Sequence, residues 1–541
     1  MLEERAANCD GGEGGAHTAG SDDEDSHGSA VLPERGLGCP RITVPALYAH
    51  AGFGERRSAV SVSVTQVKQF IGGEWMDSSS GETMEVLNPA TGEVIAEVPA
   101  ATAKDVEKAV EAAKKAWSEW RSKTPKDRME LLLALADVID ENAEELARLE
   151  SQNVGKPWWV AKDEPPAMSD NLRFFAGAAR NLEGKSAAEY VEGYTSMLRR
   201  EPLGIVAGIC PWNYPLYMAM WKIGPALAAG NVQIMKPAEQ TPMTLLRFAE
   251  LAQEVIPPGV LQVVTGEGIP AGDALVRHPD IRLVSLTGDT ATGKIIAKNA
   301  ADTVKRLHLE LGGKAPMVVL DDADPDTVAE AIKIGGFFNS GQDCTASSRI
   351  LVSDGIYDDV LSKTVGAVDS MTVGDPASDD EIEMGPVISQ EQQQRVLGFL
   401  ERATDAKATI VTGGGTVGER GFFISPTIVT DVAQDADIVQ NEVFGPVVTV
   451  QPFSSDEDAI AMANGVRYGL AASVFSENVG RAMKVAAQLD FGTVWINEHL
   501  FPLTPEMPHG GFKESGYGKD MSLYSMEEYT RIKHVVVKLA Q

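Results

Sequence analysis

Ile205-Val206-Ala207-Gly208-Ile209, Val232-Gln233-Ile234-Met235, Val260-Leu261-Gln262-Val263-Val264, Arg282-Leu283-Val284-Ser285-Leu286 and Arg306-Leu307-His308-Leu309 decide the fold of this chain. Each apolar run has strand length, and the segments between successive runs read as helical crossovers. Strand and helix alternating in this way predict an α/β fold built on a doubly wound parallel sheet. Ligands of such sheets bind beyond the carboxyl ends of the strands, where Lys236, Thr287 and Gly288 fall.

On the N-terminal side of this block, Phe70-Ile71-Gly72-Gly73-Glu74-Trp75 predicts a hairpin edge. Thr102 and Asp105 form a capping box, and Val106, Ala109, Val110, Ala113, Trp117 and Trp120 follow at helical spacing. A second helix is expected from Pro125 towards Leu149, with Leu132, Leu135, Val138 and Ile139 on one face. On the C-terminal side, strand regions are expected at Pro316-Met317-Val318-Val319-Leu320 and at Glu442-Val443-Phe444-Gly445-Pro446-Val447-Val448. Tyr529 to Leu539 carries Val535-Val536-Val537 among basic residues and is expected to be a strand donated to a neighbouring subunit, because an unpaired apolar edge is a hazard. The organisation expected is a first domain from 65–183 and 203–313, a second from 314–514, and a small β element from 184–202 and 520–541. Residues 1–64, with Gly11-Gly12-Glu13-Gly14-Gly15 and Ser21-Asp22-Asp23-Glu24-Asp25, lack apolar periodicity and are expected to be disordered. They are either a regulatory arm or a non-native translational start.

A chain of 541 residues exceeds the usual limit of one hydrophobic core. The net charge of -31 argues against nucleic acid as a partner, since a phosphate backbone would be repelled. Cysteines stand only at 9, 39, 210 and 344, without the spacing of a disulfide framework or a zinc site, so a reducing compartment and no metal are expected. No apolar run approaches the roughly 20 residues that span a bilayer, and no basic start leads into an apolar segment. A cytoplasmic location is expected.

Chemistry is concentrated in three segments. Gly341-Gln342-Asp343-Cys344-Thr345-Ala346 places a thiol on a glycine turn, Leu309-Glu310-Leu311 sets a carboxylate between leucines, and Pro211-Trp212-Asn213-Tyr214-Pro215 offers a side-chain amide. Nucleophile, base and oxyanion donor are thus all available. Cys210, on a strand, reads as core; His308 and His509 lack metal-ligand spacing and read as packing or loop residues. A G-x-G-x-x-G fingerprint is missing. Instead Gly266-Glu267-Gly268 with Gly272 has one spacing too long, and Gly288-Asp289-Thr290-Ala291-Thr292-Gly293 opens a helix whose free N–H groups can receive a pyrophosphate. Lys236 and Glu239 stand just past a strand end, and a carboxylate there can accept both ribose hydroxyls but would repel a 2′-phosphate, which favours NAD over NADP.

From about residue 66 onward the chain resembles the aldehyde dehydrogenase superfamily through six ordered segments: Pro211 to Pro215, Lys236 to Pro242, Leu309 to Lys314, Gly341 to Cys344, Glu442 to Pro446, and Pro508-His509-Gly510-Gly511. Within it, Phe174 to Arg180, Gly341 to Ala346 and Ser515 to Tyr524 are most similar to gamma-aminobutyraldehyde dehydrogenases. The resemblance implies a dinucleotide-binding domain, an α/β catalytic domain and a small β oligomerisation element. It implies Cys344 as nucleophile, Glu310 as base, and Asn213 with the Cys344 N–H as oxyanion hole. It implies that Lys236 and Glu239 hold the adenosine ribose, that Glu442 and Phe444 position the nicotinamide end, and that Trp212, Gly268, Gly272, Thr287 and the Gly288 turn complete an NAD cleft. Tyr214, Met218 and Trp221 are implied to line the aldehyde tunnel. Asp343, next to the thiol, is a candidate partner for the ammonium of 4-aminobutanal. Asp289 departs from the pattern, since serine is commoner there and a carboxylate repels phosphate unless it turns away. Betaine aldehyde or an aryl acetaldehyde are alternative substrates, with a CoA-acylating enzyme and a non-catalytic scaffold as remoter readings. A homo-oligomer, dimer or tetramer, is implied as well.

Overall fold

A computed structural model describes residues 67–540; the tail expected to be disordered lies outside the described residues. Among these, the five apolar runs form the centre of a sheet ordered Glu74–Met76, Gln69–Ile71, Leu261–Val263, Val232–Lys236, Ile205–Ile209, Ile281–Gly288, Arg306–Leu311, Gly516–Tyr517. The central five strands are parallel and the marginal ones antiparallel. The chain runs outward from Ile205–Ile209 to Leu261–Val263, then crosses back to Ile281–Gly288, so the winding reverses between Ile205–Ile209 and Ile281–Gly288. A crevice opens beyond the strand ends at such a reversal, and Pro211 to Tyr214 emerges beside it. Both faces of the sheet are covered, which is why Ile205–Ile209 and Val232–Lys236 are buried at every position.

A second sheet runs Thr409–Thr412, Thr427–Thr430, Val447–Phe453, Arg349–Ser353, Pro316–Val319, Ala471–Phe475, Thr493–Ile496, parallel except for the first pair. Its two faces bury separate apolar clusters, one around Met317, Ile332 and Val450 and the other around Val318, Leu351 and Val474.

Two expectations are corrected. The helix expected from Pro125 towards Leu149 is two, Pro125–Glu141 and Ala143–Val154. Between them Asn142 leaves helical geometry at φ −120° and ψ 22°, and its side-chain amide donates back to the Val138 carbonyl at 2.8 Å. Glu442 to Pro446 is not strand: the strand starts at Val447, because Phe444 adopts φ +58° and Pro446 has no N–H to give a ladder. The C-terminal strand Thr530–Lys538 pairs over its whole length with Tyr194–Pro202 of the same chain, in a three-stranded sheet completed by Ala188–Val191. One edge of the strand is thus paired within the chain, and as the outermost strand of this sheet it has its other edge unpaired among the described residues.

The capping box of the first helix, Ala103–Trp120, is present in both directions. Burial raises the Asp105 carboxyl, but hydrogen bonds from Ser79 and Thr102 outweigh it and hold its pKa at about 2. A depressed carboxyl stabilises the fold above its unfolded value near 4 and stops doing so as the pH falls through the folded one. Asp105→Ala is expected to lower stability by about 1–2 kcal/mol at neutral pH, and the deficit relative to wild type should shrink between pH 4 and pH 2. Urea denaturation across that range checks it; a deficit that stays constant in acid would be inconsistent with this cap.

Candidate active site

The helix Pro325–Phe337 ends in a turn where Asn339, Ser340 and Gly341 take φ of 48°, 60° and 68°. Left-handed geometry costs a non-glycine residue roughly 1–3 kcal/mol, so this turn must be held from outside. Ser340 Oγ donates to the Gly385 carbonyl at 2.9 Å, and Gln342 accepts the Ile388 N–H at 2.9 Å. A Cβ on Gly341 would lie 2.1 Å from the Gly445 carbonyl oxygen, so that position admits only glycine. Cys344 follows, half-buried. Gly313, just past the Arg306–Leu311 strand, packs so closely on it that a Cβ there would lie 2.1 Å from the Cys344 carbonyl oxygen.

Asn213 reaches this turn from the first sheet. Its side-chain amide donates to the Gln342 carbonyl at 3.0 Å, and Asn339 donates to the Asn213 carbonyl at 3.3 Å. An amide nitrogen carries two hydrogens, so one remains for an oxygen beside the sulfur. Glu310 stands on the Arg306–Leu311 strand, 1% exposed between its leucines, and brings its carboxylate within 4.8 Å of the thiol together with His509. His509 Nε2 lies 3.6 Å from Glu310 Oε1. His509, read from the sequence as a packing or loop residue, is buried on a loop beside this carboxylate. Its segment, Pro508 to Gly511, was visible in the sequence, but its ring's approach to Glu310 was not. His308 is buried between Asp520 and Glu528, and Cys210 is core, its thiol pushed up to about 12 by burial.

The electrostatics oppose the thiolate. Burial first, then Glu310, Asp343 and Glu442, push the Cys344 thiol well above its ordinary value. Burial likewise raises Glu442 to about 7, although it accepts the Gly313 N–H at 2.8 Å. Asp343 accepts the Thr345 N–H and hydroxyl at 2.6 Å on one oxygen and the Tyr214 hydroxyl at 2.6 Å on the other. Tyr214, Met218 and Trp221 form a buried apolar cluster with Met521, next to Phe338 and Leu503.

On the cofactor side, Lys236 ends its strand with Nζ on the Pro237 carbonyl and 3.7 Å from the half-exposed Glu239 carboxylate. Gly272 is buried against the Lys236 side chain, and Gly268 faces open space. The Thr287 hydroxyl is turned inward, accepting from the buried Lys222 ammonium at 2.7 Å. Trp212 meets Phe444 edge-on at 5.1 Å. Three strand spacings, roughly 14 Å, separate the ends that carry Lys236 and Gly313. A row with a carboxylate at each end, Glu239 and Glu442, suits a molecule with two ribose diols, so the donors and acceptors present fit a dinucleotide. One part of the expected cleft differs. The helix Thr290–Ala300 does not offer its N-terminal N–H groups freely, because Asp289 accepts those of Ala291 at 2.7 Å and Thr292 at 3.3 Å.

The model of the family described as "Aldehyde dehydrogenase family" matches residues 75–535. An aldehyde dehydrogenase of Alternaria alternata is 42% identical over 87% of this chain and 95% of its own length. A phenylacetaldehyde dehydrogenase of Pseudomonas fluorescens is 41% identical over 87% and 95%. Betaine aldehyde dehydrogenase from Staphylococcus aureus, solved in complex with NAD+, superposes with a TM-score of 0.85 at 40% identity, over 87% of this chain and 95% of that one.

A thiol this far from its thiolate form reacts in proportion to hydroxide. Alkylation of Cys344 by iodoacetamide, followed by peptide mapping, is expected to accelerate about tenfold per pH unit from pH 6 to pH 9, while buried Cys210 stays unmodified in the folded protein. A plateau near neutrality would mean that the three carboxylates do not act on the sulfur as described.

Proposed function

This chain belongs to the aldehyde dehydrogenase family, an oxidoreductase acting on the aldehyde group, and we propose that it oxidises 4-aminobutanal to 4-aminobutanoate with NAD, a step of putrescine degradation. The observation that carries the substrate is the acidic rim: Asp343, Glu310 and Glu442 all bear on the sulfur. That arrangement costs the thiol its reactivity and favours an aldehyde carrying a cation at its other end. Asp343 Oδ2 accepts the Tyr214 hydroxyl, which leaves it a second lone pair for an ammonium N–H.

In this reading the Cys344 thiol gives its proton to water, the thiolate Sγ bonds to the aldehyde carbon as the carbonyl π pair moves to oxygen, and that oxygen is held by the Asn213 amide and the Cys344 N–H. A donor of this kind contributes roughly 10²–10³ in rate. NAD, when bound, supplies the acceptor for the hydride that the former aldehyde carbon gives up, leaving an acyl group on sulfur. Glu310 then takes a proton from water as its oxygen attacks that acyl carbon, and the thiolate departs. A carboxylate between leucines supports water, rather than a thiol cofactor, as the acyl acceptor. Lys236 and Glu239 are assigned to the adenosine ribose, with Gly268, Gly272, Thr287 and Gly288 at the turns around it. Glu442, Phe444 and Trp212 are assigned to the nicotinamide end.

The region of the first sheet is taken as the dinucleotide-binding domain, that of the second as the catalytic domain. The three-stranded sheet is taken as the assembly element of a dimer or tetramer. Among the described residues no helix is long and apolar enough to cross a membrane; a cytoplasmic location belongs to the proposal. The apolar cluster of Tyr214, Met218, Trp221 and Met521 favours a second reading, an aryl acetaldehyde, and the fold neighbours named for betaine aldehyde keep a quaternary cation in view.

NADH formation across 4-aminobutanal, betaine aldehyde, phenylacetaldehyde and propanal ranks these substrates, and the amine is expected first. Asp343→Asn should raise KM for 4-aminobutanal severalfold and spare propanal; equal effects on both would remove the ammonium assignment. Asp289→Asn keeps a helix cap but removes the charge beside the cofactor phosphates. It is expected to tighten NAD binding severalfold in a protein-fluorescence titration, and unchanged affinity would show that carboxylate to be electrostatically silent.

A further inference from the structure

The reaction set out above leaves one buried group at its centre without a task. His509 is 2% exposed, sits 199 residues from Glu310 in sequence, and joins it and Cys344 in a cluster whose polar atoms lie within 4.8 Å of one another. We propose that His509 is the positioning residue of the hydrolytic base: its Nε2–H faces Glu310 Oε1, favours the ionised carboxylate, and leaves Oε2 aimed at the water that attacks the acyl carbon. This rests on the reading of Glu310 as that base.

The first argument is the state of the carboxylate. Glu310 Oε1 is buried and has no hydrogen-bond partner among the described residues. An ionised oxygen in an apolar setting is costly unless a donor faces it. His509 Nε2, at 3.6 Å, needs to approach by only about half an ångström to donate, and catalytic hydrogen bonds are often long before substrate closes the site.

The second argument is the tautomer. Nδ1 of His509 is buried without a partner. A proton on Nδ1 would leave an N–H unmatched and set the Nε2 lone pair against a carboxylate. A proton on Nε2 avoids both.

The third is rigidity, which a positioning group requires. The His509 N–H donates to the Asp520 carbonyl at 2.9 Å, and the Asp520 N–H donates back to the His509 carbonyl at 2.8 Å. The Asp520 carboxylate is itself buried beside Lys222 at 3.4 Å and His308 at 3.3 Å. The imidazole leans on Trp221, ring centres 5.3 Å apart, and Trp221 belongs to the helix Pro215–Ala229 that starts two residues after Asn213. Oxyanion donor and base are thereby referenced to the same helix.

The charged and titratable groups around the pair are Cys344 and Asp343 from the nucleophile turn, Lys519 and Asp520 from the C-terminal loop, and Lys222 from the helix. Lys519 feels Glu310 and donates to the Gly510 carbonyl, one residue past His509. The step balances without a further reactant. Water oxygen bonds to the acyl carbon as the C–S bond breaks, Glu310 Oε2 receives the water proton, the thiolate leaves with the electron pair, and His509 keeps its own proton.

The test compares His509→Met, His509→Gln and Glu310→Gln on the full chain with NAD, reading acylated Cys344 by intact-mass spectrometry and the pH profile of kcat with propanal and 4-aminobutanal. His509→Met should accumulate acyl-enzyme with both aldehydes and lower kcat by about 10- to 100-fold. The acidic limb of its pH profile should differ from that of wild type, since the donor facing Glu310 Oε1 is gone. His509→Gln, which sets an amide N–H near the place of Nε2, should recover a large part of the loss and restore the limb. Should His509→Met not fold, His509→Phe keeps a flat ring on Trp221 and removes the donor. The proposal is overturned if the donor-free variants show neither acyl accumulation nor a shifted limb while Glu310→Gln does. It is equally overturned if Met and Gln lose activity alike with the limb unmoved, which is packing alone. Hydrolysis at the wild-type rate in Glu310→Gln would instead remove Glu310 as the base, and the role of His509 with it.

Discussion

The arrangement depends on a small amide clamp between the two sheets. Asn213, at the switch point of the first sheet, donates to the Gln342 carbonyl, while Asn339, on the turn feeding the second sheet, donates to the Asn213 carbonyl. Both asparagines are buried, so each unmade bond would cost a desolvation penalty of about 1–3 kcal/mol. That penalty makes one relative placement of the two turns much better than its neighbours. It fixes the amide beside the sulfur, and it helps to hold three consecutive left-handed residues that no local preference would choose.

Charge works in the opposite direction. The same close packing that brings Glu310, Asp343 and Glu442 to the sulfur suppresses the thiolate it needs. The carboxylates are held differently: Asp343 by Tyr214 and Thr345, Glu442 by the Gly313 N–H, while Glu310 Oε1 has no hydrogen-bond partner among the described residues and the His509 imidazole 3.6 Å away. In the proposed reading, an aldehyde whose positive end arrives with it suits an acidic site of this kind better than a neutral one. The cation then lowers the cost of the negative charge that passes from sulfur to oxygen.

What the sequence made legible is what depends on neighbours along the chain. Apolar runs of strand length gave the parallel sheet and even the strands that end at Lys236 and Gly288, because a strand buried on both faces is apolar throughout. The capping box at Thr102 and Asp105 is a three-residue signal and was read correctly. The helix break at Asn142 was not, since one polar residue in a periodic stretch is ordinarily tolerated and only its bond to Val138 shows the interruption. Glu442 to Pro446 looked like strand by composition, yet Phe444 turns left-handed to meet Trp212, a residue that follows a strand of the other sheet. Spacing along the chain says nothing of His509 beyond packing or loop, because its approach to Glu310 is a distance across the fold.

Asp289 shows how a local preference can set a functional limit. Aspartate is among the best residues for capping a helix, and here it binds two of the N–H groups at the start of Thr290–Ala300. A phosphate seeks those same groups for the same electrostatic reason. A cofactor phosphate placed here would therefore compete with Asp289 for one set of donors. A cofactor that has to leave after every turnover gains from a competitor already built into the cleft. If the pyrophosphate is received at this helix, the cap that stabilises the helix in the empty cleft would weaken the hold on the dinucleotide when it is filled.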